Sequence, residues 1–150
     1  MLLLKNKRAH FDYTLTTEYT AGVVLSGQEV KSLRLGHGSL AASHVTIIGG
    51  EAILLNAQIS PYTFARTENY DPKQTRKLLL KKREIKHLEE KMQEKGWTLV
   101  PLSFVLLHNR IKLNFALAKG KKQFEKRSHL RERDIERDIR KTFKDKITLR

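Results

Sequence analysis

Apolar and polar residues alternate along several stretches of this chain with the period of a strand. In "FDYTLTTE", residues 11–18, Phe11, Tyr13 and Leu15 fall on one side and Asp12, Thr14 and Thr16 on the other, which predicts a half-buried strand. "VTIIGGEAILL" holds two apolar runs around Gly49-Gly50, a pair free to take positive φ and so suited to a hairpin. "VPLSFVLLHNRIKLNFAL" repeats the arrangement, with His108-Asn109-Arg110 as the turn and Ile111, Leu113, Phe115 and Leu117 on one face. Neither turn has room for a crossover helix, so the pairing is antiparallel. Between the hairpins the period changes. Leu78, Ile85, Leu88 and Met92 follow at spacings of seven, three and four, which predicts a helix started by Asp71-Pro72 and stopped by Gly96. A helix from about Lys73 stacks Lys73, Lys77 and Lys81 on one side. Together these pieces predict a mainly β fold: an OB-like antiparallel barrel with flanking helices, over residues 1–118.

Residues 119–150 differ. They hold thirteen Lys and Arg against six Asp and Glu, so they supply +7 of the chain's +14. Ile135, Ile139, Phe143 and Ile147 recur every four residues as a narrow stripe, supported by Glu136 with Arg140 and Asp138 with Lys141. Four apolar side chains do not offset the ordering entropy of about thirty residues. The expectation is a basic C-terminal tail, disordered when free and helical when bound.

Charge then narrows the function. An excess of this size, with a pI near 10.1, points to a polyanionic partner. There is no cysteine, so disulfides and thiolate metal sites are excluded. The apolar run Leu99–Leu107 is too short to span a bilayer, and "MLLL" followed by "KNKRAH" lacks the order of a secretory signal. A soluble, intracellular protein is expected, and the charge leaves nucleic acid or an anionic membrane surface as the polyanionic partner. Catalysis is not expected: the acids of the body are scattered, His37 and His44 stand seven apart without a third ligand, and "GHGSL" lacks the Lys-Ser/Thr of a phosphate loop. No cofactor and no metal are predicted.

Three segments carry candidate contacts. Lys73–Lys86 contains seven cations and one acid, Glu84; a helix face that is merely solvated would mix its charges, whereas a phosphate-binding face would not. "NKRAHFDY" contributes Asn6, Lys7, Arg8, His10, Phe11 and Tyr13, whose aromatics are equally readable as base-stacking groups or as core. "GQEVKSLRLG" sets Glu29, Lys31 and Arg34 among apolar residues, as a structural ion pair or as an acid accepting from a base edge or ribose.

The strings "NKRAHFDY", "GQEVKSLRLGHGSLAAS", "GEAILLNAQISPY", "DPKQTRKLLLKKREIKHL", "GWTLVPL" and "AKGKKQFEKR" occur in the order seen in the SmpB family of SsrA-binding proteins, which the chain resembles from about Asn6 to Arg127. The resemblance implies an RNA-binding adaptor for the tRNA-like domain of transfer-messenger RNA, a cytoplasmic monomer with no membrane partner and no DNA partner. The complex enters stalled ribosomes, where the tail reads the empty message channel at the small-subunit decoding centre, and trans-translation follows. It implies an RNA-facing surface from Asn6 and Ala9–Tyr13, from Glu29, Lys31 and Ser32 ("EVKS"), and from Arg76 and Lys77 ("RKLLL"). It implies ribosome contacts for Lys119, Gly120, Lys121, Lys122, Glu125, Lys126 and Arg127, with Phe124 as a stacking group among these cations. Gly120 is expected to give a flexible exit from the last strand.

Three departures stand out. The family often has His where Phe11 stands, with His10 one residue earlier and thus on the opposite face of a strand. Gln74 occupies a place where a basic residue is usual, and Glu125 one where Asp is common. Two other functions compete with the adaptor: a structural ribosomal protein with an OB-like body and basic extension, and a nuclease acting on stalled message, against which the scattered acids argue.

Overall fold

A computed structural model describes residues 1–65, 68–94 and 96–120. In chain order the elements are β1 (Leu2–Lys5), α1 (Ala9–Asp12), β2 (Tyr13–Val23), α2 (Gly27–Arg34), β3 (Gly38–Ser39), β4 (His44–Ile48), β5 (Glu51–Leu55), β6 (Gln58–Ile59), β7 (Arg76–Leu79), α3 (Lys82–Met92), β8 (Trp97–Leu107) and β9 (Arg110–Gly120). The main sheet is antiparallel and runs β1-β8-β4-β5-β7-β2-β9. β8 also pairs with β9, which joins six of the strands into a ring and leaves β1 outside it on β8. Two seams of this ring are thin. β4 meets β8 through Val45 and Leu99, and β2 meets β7 through Gly22 and Val23 opposite Leu79 and Leu78. The mainly β, antiparallel architecture read from the alternation is the one found.

Both hairpins form where predicted. Gly49 and Gly50 take φ of 58° and 77°, which closes β4 on β5 in the two-residue turn whose twist matches its strands. His108 and Asn109 do the same at 50° and 61° without glycine, and Arg110 already belongs to β9. Ile111, Leu113, Phe115 and Leu117 all point into the core, against Leu99, Phe104, Val45 and Leu54. Tyr19 stacks on Phe115 with ring centroids 5.5 Å apart.

Three expectations need correction. Residues 9–12 form a helical turn, so Phe11 and His10 are not strand neighbours on opposite faces, and β2 begins only at Tyr13. A bulge between Leu15 and Thr17 then shifts the parity of β2. Tyr13 and Leu15 therefore pack outside the ring, on Ala9, Val100 and Ala118, while Tyr19 and Ala21 face the main core.

The basic helix is also shorter than predicted. Arg76–Leu79 is a strand with Arg76 and Leu78 inward and Lys77 and Leu79 outward, and α3 starts only at Lys82. The seven-residue step from Leu78 to Ile85 fits a helix numerically, yet it crosses a strand end and a helix cap. Lys73, Lys77 and Lys81 thus do not stack; within α3 the stripe of Ile85, Leu88 and Met92 survives, with Leu88 buried.

Finally, Lys119 and Gly120 are strand residues, paired with Thr14 and Tyr13, so β9 reaches two residues past the expected boundary at residue 118. The tail contacts assigned to Lys121, Lys122, Phe124, Glu125, Lys126 and Arg127, and the stripe from Ile135 to Ile147, lie outside the described residues. Among the described residues no helix is long and apolar enough to cross a membrane.

β3 and β6 make a separate two-stranded ladder that pairs Gly38 with Ile59 and Ser39 with Gln58. A Cβ at Gly38 would sit 2.5 Å from the Gln58 carbonyl oxygen, whereas one at Gly27 would meet nothing within 4 Å. Gly38→Ala should therefore lower stability by about 1–3 kcal/mol in urea unfolding. Gly27→Ala, in the exposed first turn of α2, should be neutral or stabilising by up to about 1 kcal/mol.

Candidate RNA-binding surface

The segments singled out in the sequence form two groups. The first is built around Asn6. Its backbone N–H donates to the Leu102 carbonyl at 2.7 Å and its side-chain amide to the Pro101 carbonyl at 2.8 Å. Its side-chain oxygen accepts from the Arg8 N–H at 3.3 Å. Asn6 is buried, and it fixes the turn from β1 into α1 rather than offering a surface. Lys7, Arg8 and His10 are exposed on that turn. Phe11 is half-buried, with the Arg8 guanidinium 5.0 Å from its ring centroid. Arg8, Tyr13 and Asn6 line an open cleft of about 420 Å³ with His44 and Thr98. Because Tyr13 pairs with Gly120, this group adjoins the end of β9, where the Lys119 ammonium lies 4.5 Å over the Trp97 ring.

The second group rests on a buried ion pair. Ser26 starts α2 with a capping box: the Glu29 N–H donates to its hydroxyl, and the Ser26 N–H donates to a Glu29 carboxylate oxygen at 3.0 Å. The other carboxylate oxygen accepts from Arg76 Nε at 2.6 Å, and both side chains are about 98% buried. Arg76 also donates to the carbonyls of Ala57 at 2.6 Å, Gln74 at 3.1 Å and Pro72 at 3.0 Å. The same Glu29 oxygen accepts from the Gln74 amide at 3.2 Å and lies 3.2 Å from the Tyr70 hydroxyl, which itself donates to the Ile59 carbonyl at 2.8 Å. Ser32, one turn along α2, donates to the Ser60 carbonyl at 2.6 Å. The network thus ties α2 to both ends of the segment 60–75 that joins β6 to β7.

Electrostatics follow the same geometry. Burial by itself would raise the Glu29 carboxyl, but the Ser26 N–H, the Arg76 guanidinium and the Gln74 amide outweigh it and hold it below its ordinary value. Burial, then the Glu29 charge, push the Tyr70 phenol up.

Several predicted contacts must be reassigned on this geometry. Of the two readings of Glu29, the structural ion pair is the one observed. Glu29, Ser32 and Arg76 are at most 2% exposed and present no donor or acceptor to a ligand. Gln74 is half-buried with its amide on Glu29, so it does not stand in for a missing phosphate contact. What the network does present is the exposed residue beside each buried one. Lys31 precedes Ser32, with its ammonium 5.6 Å from the Tyr62 ring centroid. Lys77 follows Arg76, 3.3 Å from the exposed Glu51. Sequence reasoning missed Tyr70 and Tyr62; the S-x-x-E spacing of Ser26 and Glu29 is a capping-box signal it did not use, and nothing local marks Arg76 as the distant partner of Glu29.

A profile described as "SmpB protein" matches residues 3–145. The chain belongs to the SmpB family. A relative named SsrA-binding protein from Sulfurihydrogenibium sp. is 49% identical over 144 residues, 96% of this chain and 95% of that one. Another of the same name from Aquifex aeolicus is 47% identical over 148 residues, 98% of this chain and 94% of its own. Among solved structures, one described as "tmRNA-SmpB: a journey to the center of the bacterial ribosome" matches with a TM-score of 0.69 at 41% identity, covering 82% of this chain and 87% of its counterpart. Membership in SmpB reaches past β9, over the basic segment that follows it.

Removing one partner of a buried pair strands the other's charge, so Arg76→Met should cost about 3–5 kcal/mol, and Glu29→Met with Arg76→Met considerably less. Because the folded-state pKa of Glu29 is lowered, its contribution is complete above the unfolded value of about 4.3 and disappears as pH falls through the folded value. Urea midpoints between pH 7 and pH 3 should fall for the native chain, and fall less steeply for Glu29→Gln, which starts lower.

Proposed function

We propose that this chain is an RNA-binding adaptor. It binds the tRNA-like domain of transfer-messenger RNA and delivers it to stalled ribosomes for trans-translation. The observation that carries this reading is near-full-length identity, up to 49% over 96% of the chain, to proteins named for binding SsrA. The basic chemistry agrees. Lys7, Arg8 and Lys31 are exposed, with His10 beside them, next to half-buried Phe11, Tyr13 and Tyr62, so cations for phosphates stand next to rings for bases. Asn6, Glu29, Ser32 and Arg76 act through position: they hold the segments that carry these groups.

Division of labour between body and tail is part of the proposal. Residues 121–150 hold twelve Lys and Arg against six acids, and the "KKQFEKR" that opens them puts Phe124 among cations. We assign Lys121, Lys122, Phe124, Lys126 and Arg127 to ribosomal RNA at the decoding centre, with Lys119 and Gly120 forming the strand end from which they leave. The adaptor acts without catalysis and without a cofactor, in the cytoplasm, as a monomer.

A stoichiometric structural ribosomal protein is the competing reading, and it would sediment with all ribosomes rather than accumulate on stalled ones. Lys121→Ala with Lys122→Ala should leave affinity for the isolated tRNA-like fragment unchanged while reducing tagging on stalled ribosomes roughly tenfold or more, the equivalent of about 1.4 kcal/mol. Equal loss of both would contradict the division of labour.

A further inference from the structure

The loop between β6 and β7 carries an aromatic pair, Tyr62 and Phe64, of which only Tyr62 belongs to the groups above. Phe64 is 86% exposed, more than any other large apolar side chain among the described residues. A single exposed apolar residue is ordinary; what surrounds this one is not. Tyr62 meets Phe64 edge to face, with centroids 5.6 Å apart and planes at 68°. Lys31 sits over the Tyr62 ring on the other element, its ammonium 5.6 Å from the centroid. The Ala65 N–H donates to the Tyr62 carbonyl at 3.0 Å, so the two rings stand on a closed turn.

The base of this loop is held at both ends. Ser32 donates to the Ser60 carbonyl, and the Ser60 N–H donates to the His37 carbonyl at 3.1 Å. At the far end Tyr70 and Pro72 are held by Arg76 and by the Ile59 carbonyl. Adjacent residues of α2 therefore do two jobs: Ser32 pins the loop, and Lys31 places a cation beside its rings. A ring with most of its surface in water, braced by a second ring and flanked by a lysine, matches the chemistry of an unpaired nucleobase with its neighbouring phosphate.

We propose that Phe64, braced by Tyr62, is a stacking platform for an unpaired base of the bound RNA, with Lys31 taking the adjoining phosphate. The inference rests on the RNA-binding function proposed above and adds a contact that neither "EVKS" nor "RKLLL" supplies. The alternative occupant, an apolar pocket on a protein, would make no use of Lys31.

The test uses the full-length chain and the tRNA-like fragment of transfer-messenger RNA, titrated across a range of salt. Phe64→Ala should weaken binding about tenfold to a hundredfold, without changing the slope of affinity against salt, because a stacked ring releases no counterions. Phe64→Tyr should restore it. Lys31→Ala should lower that slope by about one. The fluorescence of Phe64→Trp should be quenched by stoichiometric RNA beyond the change given by Trp97 in the native chain. At 86% exposure Phe64 can be replaced without touching the core, so folding is not at issue. Native binding with Phe64→Ala within twofold of it would overturn the platform alone, and would direct attention to a protein occupant. Failure of the native chain to prefer the tRNA-like fragment over ordinary tRNA would overturn the function and the platform together.

Discussion

The ion pair of Glu29 with Arg76 is the interaction on which the arrangement of α2, β7 and the segment between β6 and β7 depends. It joins the first turn of α2 to the first residue of β7, 47 positions away, and buries both charges. Such a pair is held by its complete set of hydrogen bonds rather than by attraction alone. Here the guanidinium also reaches three backbone carbonyls, and the carboxylate collects the Ser26 N–H, the Gln74 amide and Arg76. A lysine would lack the fork needed to reach those carbonyls together.

From that pair the surface follows by adjacency. A strand turns its neighbouring side chains to opposite faces, so burying Arg76 and Leu78 exposes Lys77 and Leu79. In α2, burying Glu29, Ser32 and Leu33 leaves Lys31 and Arg34 in water. The same logic governs Asn6, which is buried so that Lys7, Arg8 and His10 are displayed on a fixed turn. The residues that the sequence groups as candidate contacts thus divide into those buried in the fold and those exposed beside them.

Both hairpins and the inward face of β9 were legible in the sequence because each is a local pattern: period-two alternation with Gly49-Gly50 or His108-Asn109 at the turn. The first turn of α1, the bulge in β2 and the strand at Arg76–Leu79 were not. A bulge adds a residue without a composition signal, and "RKLLL" followed by "KKREI" keeps a helical spacing across two elements. The site was legible as a set of strings but not as a geometry. Glu29 and Arg76 bear charges, and only the fold reveals that they neutralise each other inside, with Tyr70 beside them. Phe64 and Tyr62 were unremarked because a "PYTF" in a polar loop has no period, and the meaning of those rings comes from Lys31 on another element.

The central claim is that the body formed by residues 1–120 carries RNA recognition while the basic segment after it serves the ribosome. The most direct measurement titrates the full chain, and the chain ended after Gly120 so that its pairing with Tyr13 is kept, with the tRNA-like fragment of transfer-messenger RNA and with an ordinary tRNA. The account predicts that both forms prefer the tRNA-like fragment by a similar factor, the shorter one with a smaller dependence on salt. Loss of the preference on truncation would contradict it, and would move recognition into the tail.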